Sequence, residues 1–368
     1  MDIIRLNNVT NQMRMDSGEI INDIKSKMWI ERYREAGEFT IVAPVNSDVR
    51  KKLPIGCFIS HTNTPEIMIV ENHEIKDSRS SESDVVITGR SFETLLENRV
   101  VGSNVASPHS GTLVDIPLAA NYTWNQVVSL IHGHMETGLL NSANVIPYVI
   151  TASLVPGTAT GVSIARAIKR GSLYSAVMDL LVIDNLGIKS VRPVIGVTPN
   201  SYIYIHKGVD KSATLMISHD SGEIESADYL WSNKKFKNAV LVTGKWVEVL
   251  VYYPTTATGF NRRMMFVSAS DIDQDFTVAP TGTDYTNVVN ALNQRGMEAL
   301  ASQKNIAITN ADVSRDARRH FYRSDYDLGD LVTVQGDYNE KTIMRITEYV
   351  ESEDETGASG YPTLSIDE

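Results

Sequence analysis

A tight antiparallel hairpin and a strand that runs straight into a helix, both within the first hundred residues, constrain this chain more than any other feature. In SKMWIERYREAGEFTIVAPV, Trp29, Glu31 and Tyr33 share one strand face, Gly37 supplies the bend, and Phe39 and Ile41 lead the return strand. In VITGRSFETLLENRVV the β-branched run Val85 to Thr88 stops at Gly89, after which Phe92, Leu95 and Leu96 recur at helical spacing. Further strand-like runs lie between them at 56–60 and 66–71, separated by the polar turns HTNTP and KDSRSSESD. Short strands at this spacing suit a small barrel.

A chain of 368 residues exceeds one comfortable core and predicts two to four domains. No stretch approaches the ~18 consecutive apolar residues of a membrane span, and the N-terminal MDIIRLNNVTNQMRMDSGEI is polar where a signal peptide would be apolar. The chain is therefore expected to be made in, or assembled in, the cytosol. Its 34 Lys and Arg stand against 45 Asp and Glu, a net charge of −11, so any nucleic-acid surface would be a local patch working against the overall field. NKKFKN around Phe236 reads as a solvated turn. SRDARRHFYRSD interleaves Arg315, Arg318, Arg319 and Arg323 with Asp316, Asp325 and aromatics, which favours local ion pairing. The single cysteine, Cys57, excludes an intrachain disulfide and a thiolate metal cluster and reads as a small core hydrophobe.

Beyond Pro108 a helix is predicted in TWNQVVSLIHGHMETGLL, with Trp124, Val127, Val128, Ile131 and Met135 on one face and Thr123 with Gln126 as a capping box. A second helix starts at Ser172, carries the stripe Leu173, Val177, Leu180 and Leu181, and is expected to end with Gly187 in the left-handed position. Residues 191–253 are strand-rich, a helix runs from Asp284 to Leu300, and strands return at Ile306, Leu331, Lys341 and Pro362. The fold class is thus α+β and β-rich, with small barrels at both ends around a mixed α/β middle. The expected domains are 1–100, with strands within 191–255 available to complete its barrel, an inserted α+β region over 101–255, and a linker helix with a second barrel over 256–368.

Candidate chemistry is sparse. The histidines of IHGHM, His132 and His134, point about 160° apart on a helix and cannot share an ion there. Asp271, Asp273 and Asp275 alternate as in a calcium loop, but Phe276 and Gly282 stand where glycine and glutamate are required. GVSIA around Ser163 falls one glycine short of a nucleophile elbow, although His206, His219 or His320 could nominally complete a triad. No phosphate-cradling glycine motif is present, so no cofactor and no metal are expected. Arg262 and Arg263, following Gly259, suit carboxylate partners across a domain or subunit interface better than an anion site.

Four stretches in fixed order resemble the tail-hub proteins of siphophages, which are distantly similar to the baseplate hubs of contractile tails. They are WIERYREAGEF, TGRSFETLLENR, GFNRRMMFVSASDI and DYDLGDLVTV with KTIMRITEYVE. In the last, Asp327 and Gly329 make a turn, Asp330 stays polar at the strand mouth, and Leu331, Thr333, Met344 and Ile346 begin a wall. The resemblance implies two hub barrels per subunit and a structural virion protein at the distal end of a tail. It further implies a homotrimer that joins tube to tip or fibres and conducts DNA. Implied partners are the distal tail or tube ring protein, the tip or fibre proteins and the tape measure protein, and Arg262, Arg263 and Asp330 are the candidate interface residues. An enzyme is not expected. The alternatives are a tail-associated hydrolase using Ser163 and a carbohydrate-binding receptor module.

Overall fold

The computed structural model describes residues 3–8, 15–76, 83–102, 116–155, 164–193, 200–232, 234, 236–253, 257–270, 272–273, 276–301, 306–313, 319–335 and 341–366. The fold is α+β and strand-rich. The N-terminal part supplies β1 (Ile3–Asn8), β2 (Met15–Ile21), β3 (Ser26–Arg32), β4 (Glu38–Pro44), the short α1 (Val49–Lys52), β5 (Phe58–His61), β6 (Thr64–Lys76) and β7 (Asp84–Ser91). A 3-10 helix over Phe92–Asn98 follows β7 directly, as the junction motif predicts. The middle contributes β8 (Ile116–Asn121), α2 (Thr123–Ile131), β9 (Val149–Ser153), β10 (Ile164–Ile168), α3 (Leu173–Ile183), β11 (Gly187–Val191) and β12 (Ser201–His206). Then come β13 (Met216–Ser218), β14 (Ile224–Ser232), β15 (Ala239–Thr243), β16 (Glu248–Tyr252), β17 (Met264–Ser268), α4 (Gly282–Ala301) and β18 (Ile306–Val313). The chain closes with β19 (Leu331–Gln335), β20 (Lys341–Asp354) and β21 (Gly357–Ile366).

The two ends of the chain share one sheet. Its order is β13-β19-β20-β3-β4-β7-β6-β5-β1-β2, with β21 on the other edge of β20. The long β20 pairs with β19 through residues 341–345 and with β3 through residues 348–353, so it bridges both halves. Side chains alternate as pairing requires: Trp29, Glu31, Tyr33, Phe39 and Ile41 are all buried. In β19, however, the buried apolar residues are Val332 and Val334, because Val332 lies opposite Met344; Leu331 and Thr333, expected on the core wall, face the other way. A one-residue change of register exchanges the two faces of a strand.

Among the described residues the apolar side chains gather in four cores. Trp29, Phe39, Ile41, Ile59, Met68 and Ile87 fill the N-terminal one, and Tyr33, Ile217, Val332, Val334, Met344 and Ile346 the C-terminal one. The third packs α2 and α3 with the β9–β12–β11 sheet against Phe92 and Ile67. The fourth lies between α4 and the β16–β15–β17 sheet and is built from Val240, Val242, Val251, Val288 and Leu292. β14 and β18 pair with each other, Ser232 opposite Ile306, so residues 233–305 leave and re-enter through one two-stranded stalk.

Several expectations change here. The boundary expected at 255/256 cuts through the small sheet, since β15 pairs with both β16 and β17. α4 is not a linker packed on the C-terminal strands; its apolar stripe is covered by its own small sheet. Asn185, at φ +53°, takes the left-handed position after α3, and Gly187 begins β11 instead. Thr123 is the first residue of α2 rather than its cap, and with Gln126 it accepts hydrogen bonds from the buried Arg166 guanidinium. Ser172 caps α3 as predicted, accepting from the Ser175 amide at 3.5 Å.

Candidate functional site

The chemistry of this chain concentrates where β3 crosses from the N-terminal core to the C-terminal one. Trp29 belongs to the first core and Tyr33 to the second, and Glu31 sits between them, 5% exposed. A buried carboxylate needs partners. Glu31 accepts hydrogen bonds from the Tyr322 hydroxyl at 2.7 Å and from Arg323 Nη2 at 2.6 Å. Arg323 also donates to the Asn63 carbonyl at 2.8 Å and to Thr64 Oγ1, so it ties the β5–β6 turn to both chain ends. Burial opposes its charge, but Glu31 and Tyr322 more than offset that and hold the guanidinium above its ordinary range. Tyr322 stacks on Tyr349 with ring centroids 4.1 Å apart, and burial followed by Glu31 pushes its hydroxyl well above the usual value. Arg323 adopts φ +67°, a left-handed conformation rare outside glycine, which this set of contacts holds in place.

Beside this seam, Lys27 reaches Glu351 at 3.3 Å and Glu353 at 3.7 Å. His61 is fully buried, stacks edge-on against Trp29 and lies 3.5 Å from Glu351. Burial, then the charges of Lys27, Arg323 and Arg192, lower its pKa to about 2, so the imidazole is neutral. On the other side, Tyr33 donates its hydroxyl proton to the Asn185 carbonyl at 2.7 Å and accepts from the Gly208 amide at 3.2 Å. Its ring lies where a Cβ on Gly187 or Gly329 would come within 2.2 Å, so both positions need glycine for space.

Asp330 is buried next to this ring. It accepts from the Val209 amide at 2.7 Å, the Asp327 amide at 2.9 Å and Lys211 Nζ at 2.9 Å, joining the β12–β13 connection to the turn before β19. Arg262 and Arg263 lie far from it in the small sheet unit. Arg262 stacks over the Tyr252 ring at 4.8 Å and donates to its hydroxyl at 2.5 Å. The Arg263 backbone is held by Asn238, whose Oδ1 accepts from the Arg263 amide at 2.8 Å. The structure thus separates the three candidate interface residues into two places.

The remaining candidates are dispersed. Ser163 lies outside the described residues, as do Asp271, Asp275, Arg315, Asp316 and Arg318. Asp273 is fully buried and accepts from the amides of Lys245 and Trp246, a turn anchor. His134 is buried and bonded to the Leu130 carbonyl and to Gly102, whereas His132 is exposed and paired with Glu136. His320 pairs with Glu223 at 2.7 Å. Burial lowers His206, packed against Tyr33, to about 3. Burial pushes the Cys57 thiol up to about 12. Arg323, read as part of a locally paired cluster, instead pairs with an acid almost three hundred positions away. Among the described residues no three His, Cys, Asp or Glu side chains come together as a metal site requires, and no helix is long and apolar enough to cross a membrane.

The family model of the Siphovirus ReqiPepy6 Gp37-like proteins matches residues 10–364. The chain belongs to that family. The tail protein from Neisseria meningitidis MC58 has a similar fold, with TM-score 0.56 and 12% identity over 100% of this chain and 96% of that one. Prophage tail protein gp18 from Listeria monocytogenes EGD-e gives TM-score 0.55 and 11% identity over 100% and 95%. The 43 kDa tail protein of prophage MuSo2 from Shewanella oneidensis gives 0.53 and 12% over 100% and 98%. No curated protein sequence matches the chain at a significant level. The siphovirus family and a fold shared with phage tail proteins agree with the four-motif resemblance.

Proposed function

We propose that this Gp37-like protein is the hub at the distal end of the tail, a homotrimeric ring that joins the tube to the tip or fibre apparatus and through which DNA leaves the virion. The observation that carries the reading is the sheet in which β3 of the N-terminal hairpin pairs with β20 of the C-terminal segment. Through that pairing each subunit presents two strand-rich halves as one body, and in this reading they act as the two hub barrels. Three such subunits offer six similar halves to a hexameric tube ring. The acidic balance of the chain, −11 overall, suits a conduit because negative walls do not retain DNA. The partners are the tube ring, the tip or fibre proteins and the tape measure protein. The protein is a component of the virion and not an enzyme.

The test is the mass and shape of the purified full chain, alone and with its tube-ring partner, by native mass spectrometry and negative-stain imaging. A threefold ring is expected. A stable monomer at high concentration under both conditions would remove the hub reading.

A further inference from the structure

The small unit between the strands of the stalk differs in charge from the rest of the molecule. Residues 233–305 hold eight Lys or Arg against six Asp or Glu, a net of +2, so the remainder of a chain of net −11 carries −13. Three of these basic residues, Lys237, Arg262 and Arg263, lie at one end. Asn238 donates from its side chain to the Asn261 carbonyl at 2.8 Å, and its backbone amide donates to the Arg263 carbonyl at 3.0 Å. These bonds hold Asn238 beside the GFNRR segment, so that Lys237, next to Asn238 in the chain, lies at the same end as Arg262 and Arg263.

The same end is apolar where it meets solvent. Phe260 is completely exposed, Phe266 is 63% exposed and Met264 45%, with Tyr253 and Leu250 also at the surface. The register explains this: Leu250 and Phe266 flank Leu241 on the face of the β16–β15–β17 sheet turned away from α4, whose side is filled by Val240, Val242 and Val251. Exposed aromatics and methionine beside arginine have the composition of the centre of a protein interface, not of ordinary surface.

We propose that this basic, aromatic end of the 233–305 unit docks onto the acidic body of a second copy of the chain. Charge complementarity selects that occupant: the unit is the cationic part of a molecule whose other parts are strongly anionic. Because the two surfaces are different, the contact is head-to-tail, the kind that closes into a ring when the rotation permits. The proposal rests on the ring-forming reading above and assigns it a surface.

The experiment measures self-association of the full chain by sedimentation at about 50 mM and 500 mM salt, for wild type, for Arg262→Glu with Arg263→Glu, and for Phe260→Ser. Phe260 is fully exposed, so Phe260→Ser keeps the fold even if Arg262→Glu disturbs the stack on Tyr252. Circular dichroism confirms the fold of each. Weakening of wild-type association by salt, and by about tenfold or more in the variants, is the expected result. Variants that assemble as tightly as wild type would overturn the docking surface and leave the ring reading standing. A wild type that never assembles, with or without its tube-ring partner, would overturn both.

Discussion

Glu31 is the residue on which the two halves of the molecule depend most directly. The sequence pattern puts it on one strand face with Trp29 and Tyr33, and the structure buries it there beside Lys27. What the sequence could not show is the partner, because Tyr322 and Arg323 lie almost three hundred positions away. Replacing Arg323 with Met strands the Glu31 carboxylate and should cost about 3–5 kcal/mol of stability, measured by urea unfolding. Adding Glu31→Gln should recover part of that loss, and a fully additive double variant would count against the pairing. His61 makes a second prediction, in pH. Its pKa of about 2 in the fold lies below its ordinary 6.5, so the unfolded chain binds more protons between those values. Stability is therefore full above about pH 6.5 and falls as the medium is acidified. Between pH 7 and 5 the loss attributable to this group is about 2 kcal/mol, and His61→Asn should flatten that part of the curve by the same amount.

At the scale of elements, local pattern was a good guide wherever neighbours in sequence are neighbours in space. The hairpin, the β7 junction and the stripe of α3 are read from residues within one or two turns of each other, and the structure has them where the pattern puts them. Pattern failed where a distant residue decides. Thr123 and Gln126 look like a cap but hold Arg166 from β10, and Gly187 looks like a helix stop but leaves room for the ring of Tyr33. Among the candidate interface residues, Arg262 and Arg263 stand beside exposed aromatics, whereas the polarity of Asp330 serves backbone amides inside the chain. Gly89, which ends the β-branched run, lies inside β7 and is needed there for space: a Cβ would lie 1.8 Å from the Ile69 carbonyl across the β6–β7 pair and 2.8 Å from the Phe39 ring. Gly89→Ala should therefore force the sheet apart locally and cost about 1–3 kcal/mol or more. A thermal melt unchanged from wild type would show that the close approach is not needed.

For the whole molecule, the organisation turns on insertion. One sheet takes strands from both ends of the chain, and the intervening sequence includes units that leave the sheet and return, an insertion that the expected division placed at 101–255 and that also includes residues 233–305. The clearest case is the 233–305 unit, because its exit at Ser232 and its return at Ile306 are paired residues of adjacent antiparallel strands. A two-residue Asn-Gly turn can span that gap, as it does in tight hairpins. Replacing residues 233–305 by Asn-Gly should leave β14 and β18 as an ordinary hairpin and keep the main sheet intact, since among the described residues the N-terminal and C-terminal cores draw no side chain from the deleted segment. The shortened chain loses the packing of α4 beside α3 and β10, so some loss of melting temperature is expected, but unfolding should remain cooperative. If the unit only decorates the surface, self-association will survive its removal. If it supplies the contact between copies, the shortened chain will be a folded monomer at concentrations where the full chain assembles, and sedimentation of the two side by side distinguishes the cases.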